Sequence, residues 1–344
     1  MIESSTAALP ETPETAGPTQ ISIIIPTRNE ERHLPNCLRS LANLDFPHDQ
    51  FEVLVVDNGS TDSTREVADS FTDELNIRMF VRPNIYISAL RNFGASVACG
   101  TYLAFVDADC VVPPNWLRLG VLHLAEKGPG IIGAHYRIPA DSTRLAVVWD
   151  RHQIAAKVGH VRYVPAGDLM IDRKTFFNIG GFDESIQTNE DAELCERIRA
   201  AGLCIFAFPE LAVIHYGTPQ SITGFYRKQR WHGTHVFKVF LRDFPYSANV
   251  RVVIFALFIL ACELGIILGI LTGLVMASWS IFYISAISIV LPALVLSAMK
   301  VLDSRAWSDF PVLALLYFTY GIARARCLLS VNQWMLLRSK TPSQ

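Results

Sequence analysis

The sequence predicts an α/β domain built on a mostly parallel sheet, followed by an α-helical membrane region. Three observations lead there. Short apolar runs alternate with helix-like stretches over residues 21–109, each run ends in polar or turn-forming residues, and long apolar stretches appear only after residue 251.

The first run, Ile21-Ser22-Ile23-Ile24-Ile25, precedes a helix-like stretch from about Glu31 to Leu44, with Leu34, Leu38 and Leu41 at helical spacing. Phe51–Val56 is followed by a stretch from about Ser63 to Phe71, and Ile77–Val81 by one near Ser88–Ala98. Tyr102–Val106 is the fourth run. Short β-branched and aromatic runs between amphipathic helices signify βαβ units and a sheet buried on both faces. Such sheets bind ligands at the carboxyl ends of their strands. Those ends here read Pro26-Thr27-Arg28-Asn29-Glu30, Asp57-Asn58-Gly59-Ser60-Thr61-Asp62, Arg82-Pro83-Asn84 and Asp107-Ala108-Asp109. No run is followed by GxGxxG, and GxxxxGK[ST] is absent, so the pattern is neither the dinucleotide nor the P-loop kind. Further on, Gly180-Gly181 makes a bend before a helix from about Glu190 to Ala200, which Thr188 and Asn189 can cap and Gly202 can end.

The expected organisation is a disordered lead at 1–20, a domain at 21–240 and a membrane region at 252–330. The domain divides into a first half at about 21–110 and a second at about 111–240. Residues 252–277, apolar except for Glu263, and residues 279–299 are long enough to cross a hydrocarbon core of ~30 Å. Residues 310–323 are shorter and run into Arg324 and Arg326, so they either span or lie in the interface. The first twenty residues have no basic start and no apolar stretch, which leads to the expectation of a cytoplasmic domain.

Of the 344 residues, 51% are hydrophobic and 18% charged, and the net charge is −2. That balance lacks the basic excess of a nucleic-acid binder. The seven cysteines are scattered with no CxxC pair, which argues against a disulfide framework or a zinc site and for small buried side chains.

Several residues carry candidate chemistry. Asp107 and Asp109, two apart after an apolar run, point the same way if the chain is extended, and paired carboxylates suit Mg²⁺ or Mn²⁺; the plain alternative is a solvated turn. Asp57 either accepts hydrogen bonds from a nucleobase or ribose, or closes an Asx turn. Glu190 and Asp191 either favour the helix dipole from its first turn or supply a general base. His215, after Leu211–Ile214, is either structural or a metal or phosphate ligand. Arg227, Lys228, Arg230 and Trp231 either anchor a cytoplasmic membrane face or clamp a diphosphate.

The ordered set Pro26-Thr27-Arg28-Asn29-Glu30, Val56–Asp62, Ala89-Leu90-Arg91-Asn92-x-Gly94, Asp107-Ala108-Asp109, Gly180–Glu184 and Glu190-Asp191-x-Glu193-Leu194-Cys195 resembles family 2 glycosyltransferases of the GT-A fold, over about residues 20–240. The resemblance implies a Rossmann-like GT-A catalytic domain, inversion at the anomeric carbon and a divalent cation, Mg²⁺ or Mn²⁺. It also implies a nucleotide-sugar donor, a UDP-sugar first among them, and a glycan or lipid-linked acceptor. Mapped onto this chain, Pro26, Thr27, Glu30, Asp57 and Arg91 would hold the nucleoside, and Asp107 the ribose or metal. Asp109 would bind the metal, with His215 near it and the diphosphate, and Asp191 would be the base. Asp168, Glu190, Arg227, Arg230 and Trp231 are diphosphate or acceptor candidates. Asp168, in Gly167-Asp168-Leu169, stands where many members carry a small or amide residue, and either tunes the acceptor site or caps a turn. Processive members carry Gln-x-x-Arg-Trp, whereas Gln229-Arg230-Trp231 is more compact. A membrane scaffold with a degenerate, inactive domain is the alternative from another class.

Overall fold

The structure, a computed structural model, describes residues 20–153, 158–233, 236, 240 and 250–329. Residues 1–19 of the lead expected at 1–20 lie outside the described residues.

The first half alternates as its pattern requires. Strands β1 (Ile21–Thr27), β2 (Phe51–Asp57), β3 (Ile77–Val81) and β4 (Tyr102–Val106) are separated by helices α1 (Leu34–Ala42), α2 (Thr64–Asp69) and α3 (Ile87–Val97). Both β1 and β2 are buried along their whole length. Alternate residues serve opposite faces: Ile21, Ile23 and Ile25 pack toward Leu34, Leu38 and Leu41 of α1, while Ile24 and Leu54 pack toward Ala95 of α3. Pro26 fits inside β1 because the pairing with β4 covers only Ile21–Ile24, so on that side no ladder bond is needed from its missing N–H.

The second half adds β5 (Cys110–Val111), α4 (Trp116–Lys127), β6 (Gly130–Gly133), α5 (Arg144–Gln153), β7 (Gly159–His160), β8 (Asp168–Asp172), α6 (Arg173–Asn178), α7 (Glu190–Ala200), β9 (Cys204–Ala207), β10 (Ile214–His215) and α8 (Ile222–Gly233). The eight-stranded sheet runs β3-β2-β1-β4-β8-β6-β9-β7. The pairings β3/β2, β2/β1, β1/β4 and β6/β9 are parallel; β8 is antiparallel to both its neighbours, and β7 to β9. Strand order reverses at β1, so the carboxyl ends of β1 and β4 flank the crevice where such sheets bind ligands.

Three helices follow: α9 (Val250–Met276), α10 (Ser280–Ser304) and α11 (Phe310–Leu328). The first two, with mean hydropathies of 2.7 and 2.3, are long and apolar enough to cross a membrane. Ile254, Leu264, Leu274, Ile284 and Ile287 are exposed, unlike the side chains of a soluble core helix. They form a hairpin in which Gly269 admits the backbone of Phe282 and Gly265 admits Ser285. The third helix, which the sequence left open, docks on both parts of the chain. Gly321 meets Ile259 and Phe255 of α9, Tyr317 packs on Trp149 of α5, and the Cys327 thiol donates to the Arg230 carbonyl of α8. Glu263, the one acid of α9, forms an ion pair with Arg326 at 2.9 Å, which removes the cost of an isolated charge among apolar helices. At the start of α11, Asp309 is buried and accepts from Arg151 at 2.8 Å, with the His152 ring at 3.0 Å. This latch ties the end of the hairpin to α5.

Candidate active site

A cleft of about 1340 Å³ opens at the carboxyl ends of β1 and β4 and continues to α8 and α11. The loops after β1 and β2 interlock to form its first wall. Asn29 donates its N–H to Ser60 Oγ (2.8 Å), Thr61 N–H returns to Asn29 Oδ1 (2.9 Å), and Glu30 N–H bonds Thr64 Oγ1 (2.7 Å). Pro26, Thr27 and Glu30 thereby face the cleft.

Asp57 does not line it. Its buried carboxylate receives Ser60 N–H at 3.0 Å, the Ser60 hydroxyl, and Arg65 Nε at 2.9 Å. The Asx-turn alternative accounts for these contacts, and Asn58, the next residue, faces the cleft instead. Arg91 also departs from expectation. It lines the cleft, yet its side chain is 2% exposed and spans two acids, donating Nη2 to Asp107 at 2.6 Å and Nη1 to Glu190 at 2.5 Å. These contacts join strand end to helix start rather than leaving the guanidinium open to a nucleoside.

Half-buried Tyr136 and buried Gly167 set Asp107 further. The Tyr136 hydroxyl donates to Asp107 Oδ2 at 3.2 Å and receives Gly167 N–H at 3.0 Å. A Cβ on Gly167 would collide with both the Asp107 carboxylate and the Tyr136 hydroxyl, so only glycine lets this loop approach. Burial opposes ionisation of Asp107, but Arg91, His215 and the Tyr136 hydroxyl together outweigh it and hold the carboxyl below the usual range.

His215 arrives from far along the chain. The two-stranded ribbon of β10 and β5 sets it opposite Cys110, and Tyr216 N–H donates to the Asp109 carbonyl at 2.9 Å. His215 Nε2 lies 3.5 Å from Asp109 Oδ2, and its ring stacks on Tyr136 at 4.5 Å. Burial lowers the pKa of His215, which favours the neutral imidazole that a metal ligand requires. One ligand atom each from Asp107, Asp109, Cys110 and His215 fall within 4.8 Å of one another. Two carboxylates and an imidazole suit Mn²⁺ or Mg²⁺, so the donor set fits the expected divalent cation. Gly217 closes against this group, since a Cβ there would strike the Asp109 carboxylate.

The other wall is the start of α7. Thr188 and Asn189 were expected to cap it, and no side-chain cap forms. Asn189 instead takes a left-handed conformation (φ 66°) and donates Nδ2 to the His232 carbonyl of α8 at 3.3 Å. Asparagine tolerates this conformation better than most residues. The turn leaves Glu190 and Asp191 both lining the cleft. Asp191 receives the Tyr163 hydroxyl on Oδ2 at 2.7 Å and Ala192 N–H on Oδ1 at 2.8 Å. Burial pushes Glu190 up to about 7 against the opposing pull of Arg91.

Two acceptor-side candidates do not line the cleft. Asp168 is fully buried behind the cleft, where it receives Trp116 Nε1 at 3.0 Å and Val213 N–H at 3.3 Å, so it ties sheet to helix and ribbon. Arg230 is exposed and does not line the cleft, whereas Arg227 and Trp231 do. The sequence left Tyr136, Tyr163, Tyr320 and Arg324 unnamed as site residues, and no local pattern marks them. Lys228, noted only within a basic cluster, is half-buried in the cleft wall with Nζ donating to the Gly217 carbonyl at 2.9 Å.

The family profile described as Glycosyl transferase family 2 matches residues 22–183. Residues 22–183 are a family 2 glycosyltransferase domain. Glycosyltransferase AglE of Haloferax volcanii is 26% identical to this chain over 205 residues, covering 58% of this chain and 67% of AglE. Validoxylamine A glucosyltransferase of Streptomyces hygroscopicus is 27% identical over 219 residues, covering 53% of this chain and 48% of that enzyme. The chain thus spans about two thirds of one relative and about half of the other. Among solved structures, mannosyltransferase PcManGT of Pyrobaculum calidifontis, in complex with GDP-Man and Mn²⁺, is similar with a TM-score of 0.59 and 19% identity, over 92% of this chain and 89% of that one. This likeness shows the glycosyltransferase GT-A fold. Asp191 and His215 lie beyond the profile match, so their link to the site rests on the geometry above and the resemblance.

Proposed function

We propose that this family 2 glycosyltransferase moves a sugar, with inversion, from a nucleotide-diphosphate donor to a hydroxyl of a glycan or lipid-linked acceptor at the cytoplasmic membrane face. The observation that carries the proposal is one cleft holding a metal-type cluster of Asp107, Asp109 and His215 together with a separate, tyrosine-held carboxylate at Asp191. The GT-A fold itself is compatible with several donors, and a UDP-sugar is the proposed one.

Asp107, Asp109 and His215 would hold Mg²⁺ or Mn²⁺. Bound there, the cation supplies positive charge opposite the departing diphosphate oxygens. Lys228, fixed in the same wall, adds a cation on that side. Pro26, Thr27, Glu30 and Asn58 shape the nucleoside end. Asp191 takes the proton of the attacking hydroxyl, and Tyr163 and Ala192 N–H fix its two oxygens so that the carboxylate meets the acceptor in one orientation. Attack on the anomeric carbon from the side opposite the leaving diphosphate inverts its configuration. Arg91 acts indirectly, keeping Asp107 and Glu190 in place.

Charge and the latch support the proposed membrane placement. Arg251 is the second residue of α9, and Lys300 and Arg305 border the end of α10. Basic residues at both flanks favour a cytoplasmic location for both. Asp309 and Ser308, just past α10, are held by His152, Arg151 and Arg144 of α5, which keeps the end of the hairpin on the catalytic side.

Three experiments test this reading. Asp109→Ala should abolish transfer and weaken metal-dependent nucleotide binding without unfolding the domain, and excess EDTA should stop the parent enzyme; full turnover in EDTA contradicts the metal assignment. Asp191→Asn preserves size and a hydrogen-bond acceptor, so donor affinity and Tm should hold while turnover falls by ~10²–10⁴-fold. Transfer within a few-fold of the parent would exclude Asp191 as base. Single cysteines introduced near Lys300, in a background lacking the native ones, should be shielded from impermeant reagents in whole cells; labelling there refutes the hairpin topology.

A further inference from the structure

The cleft has a second, cationic end that the transfer chemistry above does not use. It is formed where α11 meets α8. Arg324 of α11 lines the cleft and donates Nη2 to Gln229 Oε1 of α8 at 3.1 Å. Its Nε and Nη1 are buried and have no hydrogen-bond partner, and among the described residues no carboxylate pairs with it. The contrast with Arg326, two residues on, is informative, because that guanidinium is neutralised by Glu263. Tyr320, one helical turn before Arg324, sits under the guanidinium at 4.9 Å and also lines the cleft. Arg227 of α8 contributes a second cation to the lining.

A half-buried guanidinium with two buried, idle donors is costly unless an anion completes it. Of the carboxylates that line the cleft, Asp107 and Glu190 are engaged by Arg91, Asp191 by Tyr163, Asp109 by His215 and Glu30 by His33, and among the described residues Asp150 of α5 forms no ion pair with Arg324. A planar fork of this kind matches a phosphate group. The surroundings narrow the ligand further. The helix bearing Arg324 packs through Gly321 on Phe255 and Ile259 of α9, and α9 turns Ile254, Leu257 and Phe258 outward as exposed apolar surface. An anion that reaches Arg324 therefore lies beside a bundle suited to hydrocarbon. Lys228 and Gln229 are consecutive on α8, yet Lys228 is held toward the metal loop by Gly217 and Gln229 toward α11 by Arg324, so the helix separates the two phosphate-attracting ends.

We infer that Arg324, with Arg227 and the Tyr320 ring, binds the phosphate of a membrane-embedded, lipid-linked phosphate or diphosphate acceptor, whose hydrocarbon chain runs along α9 and α11. This rests on the proposed transfer reaction for its consequence but not for its measurement, because binding can be read without turnover. The full-length protein in phosphatidylcholine nanodiscs is titrated with farnesyl phosphate, farnesol and inorganic phosphate, following the fluorescence of cleft residues Trp149 and Trp231. Mn²⁺-dependent binding of UDP and GDP is measured in parallel. Farnesyl phosphate should bind at least about tenfold more tightly than either other probe, and Arg324→Gln should remove about that advantage while leaving nucleotide affinity unchanged. Arg324→Lys, which keeps the charge and loses the fork, should fall between; it guards against a misfolded glutamine variant. Equal affinity for farnesol overturns the phosphate assignment. Equal affinity for inorganic phosphate overturns the lipid source. A loss of nucleotide binding in folded Arg324→Gln assigns the residue to the donor and also overturns the inference. Farnesyl phosphate binding by a parent protein that binds no nucleotide would instead defeat the transfer reading and leave this one standing.

Discussion

The site depends on one buried guanidinium. Arg91 projects from α3, on the face of the sheet opposite α1, and holds a carboxylate from the end of β4 and another from the start of α7. The two acids are 83 residues apart in the chain, and each carries a functional neighbour: Asp109 follows Asp107 by two positions, Asp191 follows Glu190 by one. One side chain therefore sets the spacing between the metal-type cluster and the carboxylate proposed as base. Its own burial is tolerable only because both partners are anionic. Removing one member of such a buried pair typically costs about 3–5 kcal/mol, because the charge left behind is uncompensated. Two carboxylates without the arginine would also repel each other, and one would take up a proton.

Around that bridge, ordinary tertiary constraints complete the cleft. The β5–β10 ribbon brings His215 over Asp109, and Tyr136 stacks on the imidazole while bonding Asp107. Gly167 and Gly217 are the places where loops pass within contact of the acidic side chains. The apolar helices are not a separate appendage, since α11 supplies Tyr320 and Arg324 to the cleft and Asp309 to the latch on α5. The cleft and the apolar helices are in this way joined through α8, which lines the one and packs on α11 of the other.

The sequence made the sheet legible because β1, β2 and β4 are buried on both faces, the edge strand β3 is half-buried, and all four are bounded by turn residues, a pattern with few other solutions. Ile77–Val81, Tyr102–Val106 and Glu190–Ala200 fall on the expected residues. That Asp107, Asp109 and Asp191 face the cleft was legible from position and motif. The placements that were not legible share a cause: a charged residue in a motif shows its chemistry but not its partners. Asp57 is closed by Ser60 and Arg65, Asp168 by Trp116 and Val213, and Arg91 by two acids, and none of these pairings has a local signature. Tyr136, Tyr163 and Arg324 were missed for the same reason, because tertiary folding alone aims them into the cleft.

The central claim is that Arg91 positions Asp107 rather than binding the nucleoside. It is tested most directly by titrating Mn²⁺, followed by electron paramagnetic resonance in the presence of nucleoside diphosphate, into the parent and into Arg91→Lys. Lysine keeps the positive charge but has a single head, which cannot reach two carboxylates as the fork does. The account predicts a folded variant whose Mn²⁺ affinity falls at least about tenfold, the worth of one charge-assisted contact. A folded Arg91→Lys protein that binds Mn²⁺ as the parent does, and loses only nucleotide affinity, would contradict it.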